Sequence, residues 1–282
     1  MYSARNEFPI ARMAKVLKVS ESGYYKWFKR LSAPPTKREL EETELAKEIY
    51  ELFWKYHGIF GSRKITSLLN IGRQMPVNHK RVARLMNEYG LASKVSLRYI
   101  HTTDSKHEEP VAANLLQRDF TATRPNEKMV SDTTAIATKQ GVVYAAAILD
   151  LYGRYPVGLA LSMKNDARLV GAAFDDMLER GFGAAGCILH SDRGSTYCSK
   201  VYQEKLAVRG FIPSMSRKGD CWDNAPMESF WGKMKAEWLD IKYESAKQAM
   251  HDIREYVYGF YPNLRIHESN GNLTPAEFYR AS

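Results

Sequence analysis

The sequence predicts an α/β unit built on a mixed sheet and preceded by all-helical modules, and three observations carry that expectation. Up to about residue 92, apolar residues recur at three- and four-residue steps, the period of amphipathic helices. From Glu127 onward, β-rich runs alternate with helical ones. Between them lies a polar, proline-bearing stretch with no period. At 282 residues the chain is long enough for one sizeable core plus smaller modules.

Composition narrows the function classes. The 44% hydrophobic and 12% aromatic content reads as globular. A net charge of +9 suits a polyanionic partner, although basic enzymes without one are common. Cys187, Cys198 and Cys221 form no CxxC pair and the seven histidines have no finger spacing, so a zinc module is not expected. An odd cysteine count without a secretory leader points to a reducing compartment. No apolar run approaches the ~20 residues of a membrane span, and the expectation is a soluble, cytoplasmic protein.

The first module is expected over 1–35. Its stretch EFPIARMAKVLKVSESGYYKWFKR gives a helix opened by Pro9, a break from Lys18 to Ser20, and a second helix that Ser20 can cap. These are helix-turn-helix proportions. DNA contact and plain packing of Tyr24, Tyr25 and Trp27 both remain open. Pro34 and Pro35 stop the helix. Over 36–92, a long helix from Glu39 carries Leu45, Ile49, Leu52, Phe53 and Tyr56 and ends near Gly58. Ser62 is expected to cap the next helix and Asn78 a third. That third helix buries Val82, Leu85 and Met86 and turns Lys80, Arg81 and Arg84 outward. The basic face suits phosphate or major-groove docking, or is simply solvated. Residues 93–125, with the polar run His101 to Ser105 and with Pro110 and Pro125, read as a linker.

The catalytic unit is expected over 126–242. MVSDTTAIAT, GVVYAAAILDLY and RYPVGLALS are three β-rich runs, separated by Lys139-Gln140-Gly141 and by Gly153, as in an antiparallel meander. Asp166 to Arg180 reads as a helix, CILHSD as a short apolar strand, Cys198 to Arg209 as a helix, FIPSMS as a last strand and Pro226 to Ile241 as a helix. A C-terminal helix and tail fill 243–282. The order β-β-β-α-β-α-β-α is that of a ribonuclease H-like domain, a mixed sheet with helices on both faces.

Three acids stand out. Asp132 lies inside an apolar strand, against both β-propensity and burial, and such a charge needs a partner that a metal ion can supply. An exposed strand edge would also tolerate it. Asp192 closes a strand at the carboxyl end, where open sheets place their sites. Glu228 begins a helix, where its charge meets the dipole favourably, and 35 residues separate it from Asp192. Lys235 and the rings of Trp231 and Trp238 follow at helical steps; a surface helix with both tryptophans in the core is the plainer alternative. If the acids converge, they suit a pair of Mg²⁺ ions about 4 Å apart, the arrangement that phosphoryl transfer on a nucleic acid uses. Asp150 is a runner-up ligand that reads better as an end-of-strand turn residue, and Cys221 reads as inert. Arg217 and Lys218 sit in a glycine-bearing loop that anchors DNA or is merely solvated. In the tail, Arg265 can grip a phosphate and His267 can donate to one when charged. A helix end followed by a satisfied turn explains both equally well.

With these residues in place, the sequence resembles the catalytic B-frame transposases of bacterial insertion sequences, in the group whose elements carry an A frame and a B frame. Through them it resembles the retroviral integrase catalytic core. FPIARMAKVLKVSESGYYKW looks like their opening helix-turn-helix, and FGSRKI with VNHKRVARLMNEYGL like their second helical module. HSDRGSTYCS, SMSRKGDCWDNAPMESFWGKMKAE and NLRIH…LTPAEF continue the likeness nearly to the end. The resemblance implies that Asp132, Asp192 and Glu228 form a DDE triad holding two Mg²⁺, or Mn²⁺, and that Lys235 touches DNA near the processed end. It implies cleavage by water, then attack of the freed 3′-hydroxyl on DNA, by a dimer or larger assembly on terminal inverted repeats and target. The family's tryptophan and isoleucine are replaced here by Met129 and Thr133, both at packing positions. The family's full transposase is commonly a fusion with an A-frame protein; beginning at Met1 without a heptad run, this chain reads as the B product. Two rivals stay open: a stand-alone nuclease of the same fold, and a domesticated, non-catalytic DNA-binding protein.

Overall fold

The computed structural model describes residues 1–31, 33–94, 111–218, 220–239 and 242–281. The polar run His101 to Ser105, Pro110, the expected helix end at Ile241 and the Cys221 side chain lie outside what is described. In the first module, α1 (Ile10–Leu17) stops at Lys18, whose φ of 53° is left-handed. α2 (Glu21–Leu31) begins where the Gly23 N–H donates to Ser20 Oγ at 3.1 Å. Tyr24, Trp27 and Phe28 pack edge and face against one another and against Tyr2, and α2 buries no residue fully.

α3 (Lys37–Lys55) starts two residues earlier than its apolar pattern, because Thr36 and Glu39 cap each other reciprocally. Ser62 is not the cap it was expected to be. Gly61 takes the extended cap position without a side-chain bond, and Ser62 is the first residue of α4 (Ser62–Leu69). Asn78 does cap α5 (His79–Glu88), accepting from the Lys80 N–H at 2.8 Å.

β1 (Lys128–Thr138), β2 (Gly141–Asp150) and β3 (Tyr155–Ser162) form the antiparallel meander. β4 (Ile188–Ser191) and β5 (Ile212–Met215) add in parallel to β1, so the sheet runs β3-β2-β1-β4-β5. Between β3 and β4 lies α6 (Ala167–Glu179), capped by Asp166. The helix expected from Cys198 to Arg209 is α8 (Lys200–Val208), which starts later because Ser199 is extended at ψ 137°, and a short helix that was not expected, α7 (Ser195–Cys198), precedes it. α9 (Ala225–Glu237) follows a 3₁₀ turn and ends earlier than its sequence pattern. α10 (Ala246–Arg254) runs through a π turn into α11 (Tyr261–Asn263), and α12 (Pro275–Arg280) closes the described chain.

Alternation along the strands sorts the core into two faces. Met129, Ala146 and Ile148 pack against α6, α7 and α8. Val130, Ile136, Val143 and Leu149 pack against α9 to α11, and the same apolar cluster takes in Ile49, Phe53, Ile65 and Leu85 of the helical module. α3 to α5 therefore share the sheet's core on the α9 side. The stretch read as a linker is pinned where it is described: Leu116 is buried, and the Leu115 N–H donates to Ser214 Oγ at 2.9 Å. Among the described residues no helix is long and apolar enough to cross a membrane.

Candidate active site

Asp132 is two residues past Val130, so its side chain leaves the sheet on the α9 face. The parallel register pairs Lys128 with Ile188 and Val130 with His190. Continued by two residues, it sets Asp132 beside Asp192, which lies immediately after β4 ends at Ser191. The two acids are thus neighbours by strand register, although 59 residues lie between them in sequence. Glu228 arrives from α9, in its first turn.

Polar side chains tie these three segments together around Ser131. Its carbonyl accepts from Asn224 Nδ2 at 3.0 Å, fixing the start of α9 next to Asp132. Its hydroxyl meets Tyr197 Oη at 2.9 Å, fixing α7 from the opposite face. Asp192 is held by a tight turn in which Oδ1 accepts from the Gly194 N–H at 2.8 Å. A Cβ at Gly194 would stand 3.0 Å from that oxygen, so a side chain there would crowd the Asp192 carboxylate. Beneath, buried His190 bonds Ser214 Oγ at 2.8 Å and Ser216 Oγ at 3.2 Å, and burial pushes its imidazole down to about 4, so it is neutral.

Burial drives the Asp132 carboxyl well above the usual carboxylate range, Asp192 pushes it further, and Glu228 adds to the push; the Thr133 N–H and the ammonium of Lys235 oppose. Lys235 lies two turns beyond Glu228 on the same face of α9. Burial pulls its ammonium down, and Asp132 offsets part of that. Three acids and one lysine therefore share one field. Among the described residues no three His, Cys, Asp or Glu side chains close to the spacing of a metal cage. The donor set nevertheless fits hard divalent cations: carboxylate oxygens in excess of positive charge, crowded enough that one is pushed to keep its proton. Asp150 is spent elsewhere, accepting from the Asn126 and Tyr152 N–H groups at 2.8 and 2.9 Å and from Tyr279 Oη at 2.6 Å.

Asp223 is the residue that sequence reasoning missed. Fully buried, it accepts from Arg217 N–H, Nε and Nη2 at 2.9, 2.9 and 2.8 Å, from Arg118 Nε at 3.0 Å and from Asn114 Nδ2 at 2.9 Å. These bonds, Arg217 first, hold its carboxyl far below the usual range. Its one visible signal was an acid just before a helix, which reads as a dipole or cap residue. Arg217 is thereby a brace for the loop before α9, with an outer edge still exposed, and Lys218 beside it is exposed.

The other basic residues are scattered around this site. Lys80 is exposed on α5; Arg84 pairs with Glu42 and Glu88 at 2.5 and 2.8 Å, and Arg81 lies 3.9 Å from Glu42. Arg265 and His267 are not surface grips. Arg265 is 4% exposed and gives Nε and Nη2 to Glu237 on α9 at 2.7 and 2.5 Å. His267 is 5% exposed and its backbone closes a turn with Asn272 and Leu273. Burial, then Arg265, pushes its imidazole down to about 2, so it is neutral rather than the charged donor expected.

Comparisons with known proteins identify the family. The family described as "Integrase core domain" matches residues 122–221, a second of that description matches 209–275, and "HTH-like domain" matches 39–99. The insertion element IS600 uncharacterized 31 kDa protein of Shigella sonnei is 39% identical over 94% of this chain and 97% of that protein. Transposase InsF for insertion sequence IS3A of Escherichia coli strain K12 is 32% identical over 96% of this chain and 94% of its own length. Among solved structures, the HTLV-2 integrase catalytic core domain in complex with magnesium matches at a TM-score of 0.44 and 14% identity, over 56% of this chain and 99% of that one. A near full-length relative, an integrase core and an HTH-like module together show that this chain belongs to the IS3 family of insertion-sequence transposases.

Proposed function

We propose that this transposase cleaves the ends of its insertion sequence and joins the freed 3′-hydroxyl to DNA, with Asp132, Asp192 and Glu228 holding two Mg²⁺ ions, for which Mn²⁺ can substitute. The observation that supports it is geometric: the parallel register of β1 and β4 leads Asp132 and Asp192 to the same place, and the Asn224 bond to Ser131 brings the start of α9, with Glu228, to it. Bound there, the cations would activate the attacking oxygen and stabilise the leaving one. The chain's own part is positional. Asp132 offers its oxygens from inside β1 and Asp192 from just past the end of β4, and Asn224 sets the first turn of α9, with Glu228, against Ser131. Lys235 can then donate to a phosphate beside the reacting one.

DNA contacts fall to basic groups on the surface: exposed Lys80 and Arg84 with half-buried Arg81 on α5, and Lys218 with the outer edge of Arg217 in the loop before α9. The segments 1–35 and 36–92 serve as DNA-reading modules ahead of the catalytic unit. Two element ends must be held together, so the working form is a homo-oligomer, at least a dimer, possessing an A-frame protein as an optional partner. A stand-alone nuclease would not need the helical modules, and here α3 to α5 share a core with α9. Supplying a pre-cut end together with a target duplex and Mg²⁺ separates the two. Joined products are expected; cut fragments without joining would assign the chain to the nuclease class.

A further inference from the structure

On the side of α9 next to Glu228 lies a cleft of about 530 Å³, lined by parts of the chain far apart in sequence. Lys64 enters from α4, Arg154 from the turn between β2 and β3, Ser229 and Lys233 from α9, and Arg265 and His267 from the tail. Four cations thus face a common space. Arg265 is already neutralised by Glu237. Lys233 bonds only a neutral partner among those described, Ser229 Oγ at 2.7 Å, and Lys64 stands over the Phe60 ring at 4.6 Å. Nε2 of His267 is buried without a hydrogen-bond partner. A buried polar atom left open amid excess positive charge is a cost that an anion relieves.

We propose that this cleft holds a backbone phosphate of the DNA strand being processed, gripped by Lys64, Arg154 and Lys233 with His267 Nε2 beside them. The assignment rests on the transposase reading above. DNA is favoured over a free anion by place: Ser229 follows Glu228 directly, so a strand whose reacting phosphate lies at Glu228 carries further phosphates past the neighbouring face of α9. Such a grip also makes one strand touch the helical module and the catalytic unit together. The unliganded charges oppose one another: burial first and then Arg265 push the ammonium groups of Lys64 and Lys233 down to about 8. A phosphate would reverse that.

The test uses the full chain without divalent cation, so that binding is read apart from cleavage. Affinity for a labelled random-sequence DNA duplex is measured against salt for the unmodified chain, Lys64→Gln, Lys233→Gln and the exposed control Lys139→Gln. Each cleft variant is expected to bind about ten-fold more weakly, with the slope of log affinity on log salt reduced by about 0.9; the control is expected to match the unmodified chain. Unchanged affinity and slope in both cleft variants would overturn the proposal. So would inorganic phosphate raising the melting temperature of the unmodified chain alone while duplex binding stayed equal, since the cleft would then serve a free anion. Both variants should melt no lower than the unmodified chain in phosphate-free buffer, and a lower melting temperature would make the lysines structural instead. Failure of the unmodified chain to bind any duplex would bring down the transposase reading itself.

Discussion

Asn224 performs no chemistry, yet its amide is what sets the helix bearing Glu228 against the strand bearing Asp132. At 5% exposure its bond to the Ser131 carbonyl is sheltered from water. Asn224→Ala is expected to cost about 1–2 kcal/mol of stability, and to lower strand cleavage far more than that loss would; equal losses in a melt and a cleavage assay would reduce Asn224 to a packing residue. Asp223 acts alike on the preceding loop. Its folded carboxyl is held below the ordinary value, so the stability it contributes is fully present above about pH 4 and is lost as pH falls further. Acid unfolding followed below that point should therefore be steeper for the unmodified chain than for Asp223→Asn, and parallel curves would remove Asp223 from the acid response. At this scale the acids could be singled out in the sequence and their supports could not. Asp132 betrays itself by breaking an apolar strand, whereas Asn224 and Asp223 look like any residues before a helix, and only the fold shows whose carbonyl or guanidinium they meet.

The strands and helices were mostly legible because their periods and caps are local. Thr36, Asn78 and Asp166 each satisfy the first N–H groups of a helix from within a few residues. Failures occurred where backbone geometry rather than composition decides, as at Gly61 ahead of α4 and at extended Ser199 between α7 and α8. Strand register, which brings Asp132 beside Asp192, is likewise invisible to composition, since β4 could pair elsewhere. One element contact admits a sharp test. A Cβ on Gly158 of β3 would stand 2.4 Å from the Ala173 carbonyl oxygen of α6, a backbone atom that cannot step aside alone. Gly158→Ala is expected to destabilise by about 1–3 kcal/mol through overpacking, while activity per folded molecule persists. A melt within error of the unmodified chain would show that α6 shifts freely.

Over the whole molecule, the joint between α9 and the tail is a buried ion pair. Arg265 and Glu237 are 5% and 7% exposed at their side chains, so removing one leaves the other's charge stranded. Arg265→Ala is expected to cost about 3–5 kcal/mol, read by denaturant unfolding, and a loss below 1 kcal/mol would mean that the tail is not a brace. The family and the mixed-sheet plan were legible, whereas the tail motif's burial was not, because NLRIH carries the residues of a surface grip and only the packing of Tyr261, Glu237 and α9 around it turns it inward. The claim on which the molecule's function depends is that three acids, one inside β1, one just past β4 and one on α9, serve a single pair of cations. Strand cleavage by Asp132→Asn, Asp192→Asn and Glu228→Gln, assayed with Mg²⁺ beside duplex binding by the same proteins, tests it most directly. All three are expected to bind DNA as the unmodified chain does and to cut none of it; cleavage retained by any one of them would contradict the shared site.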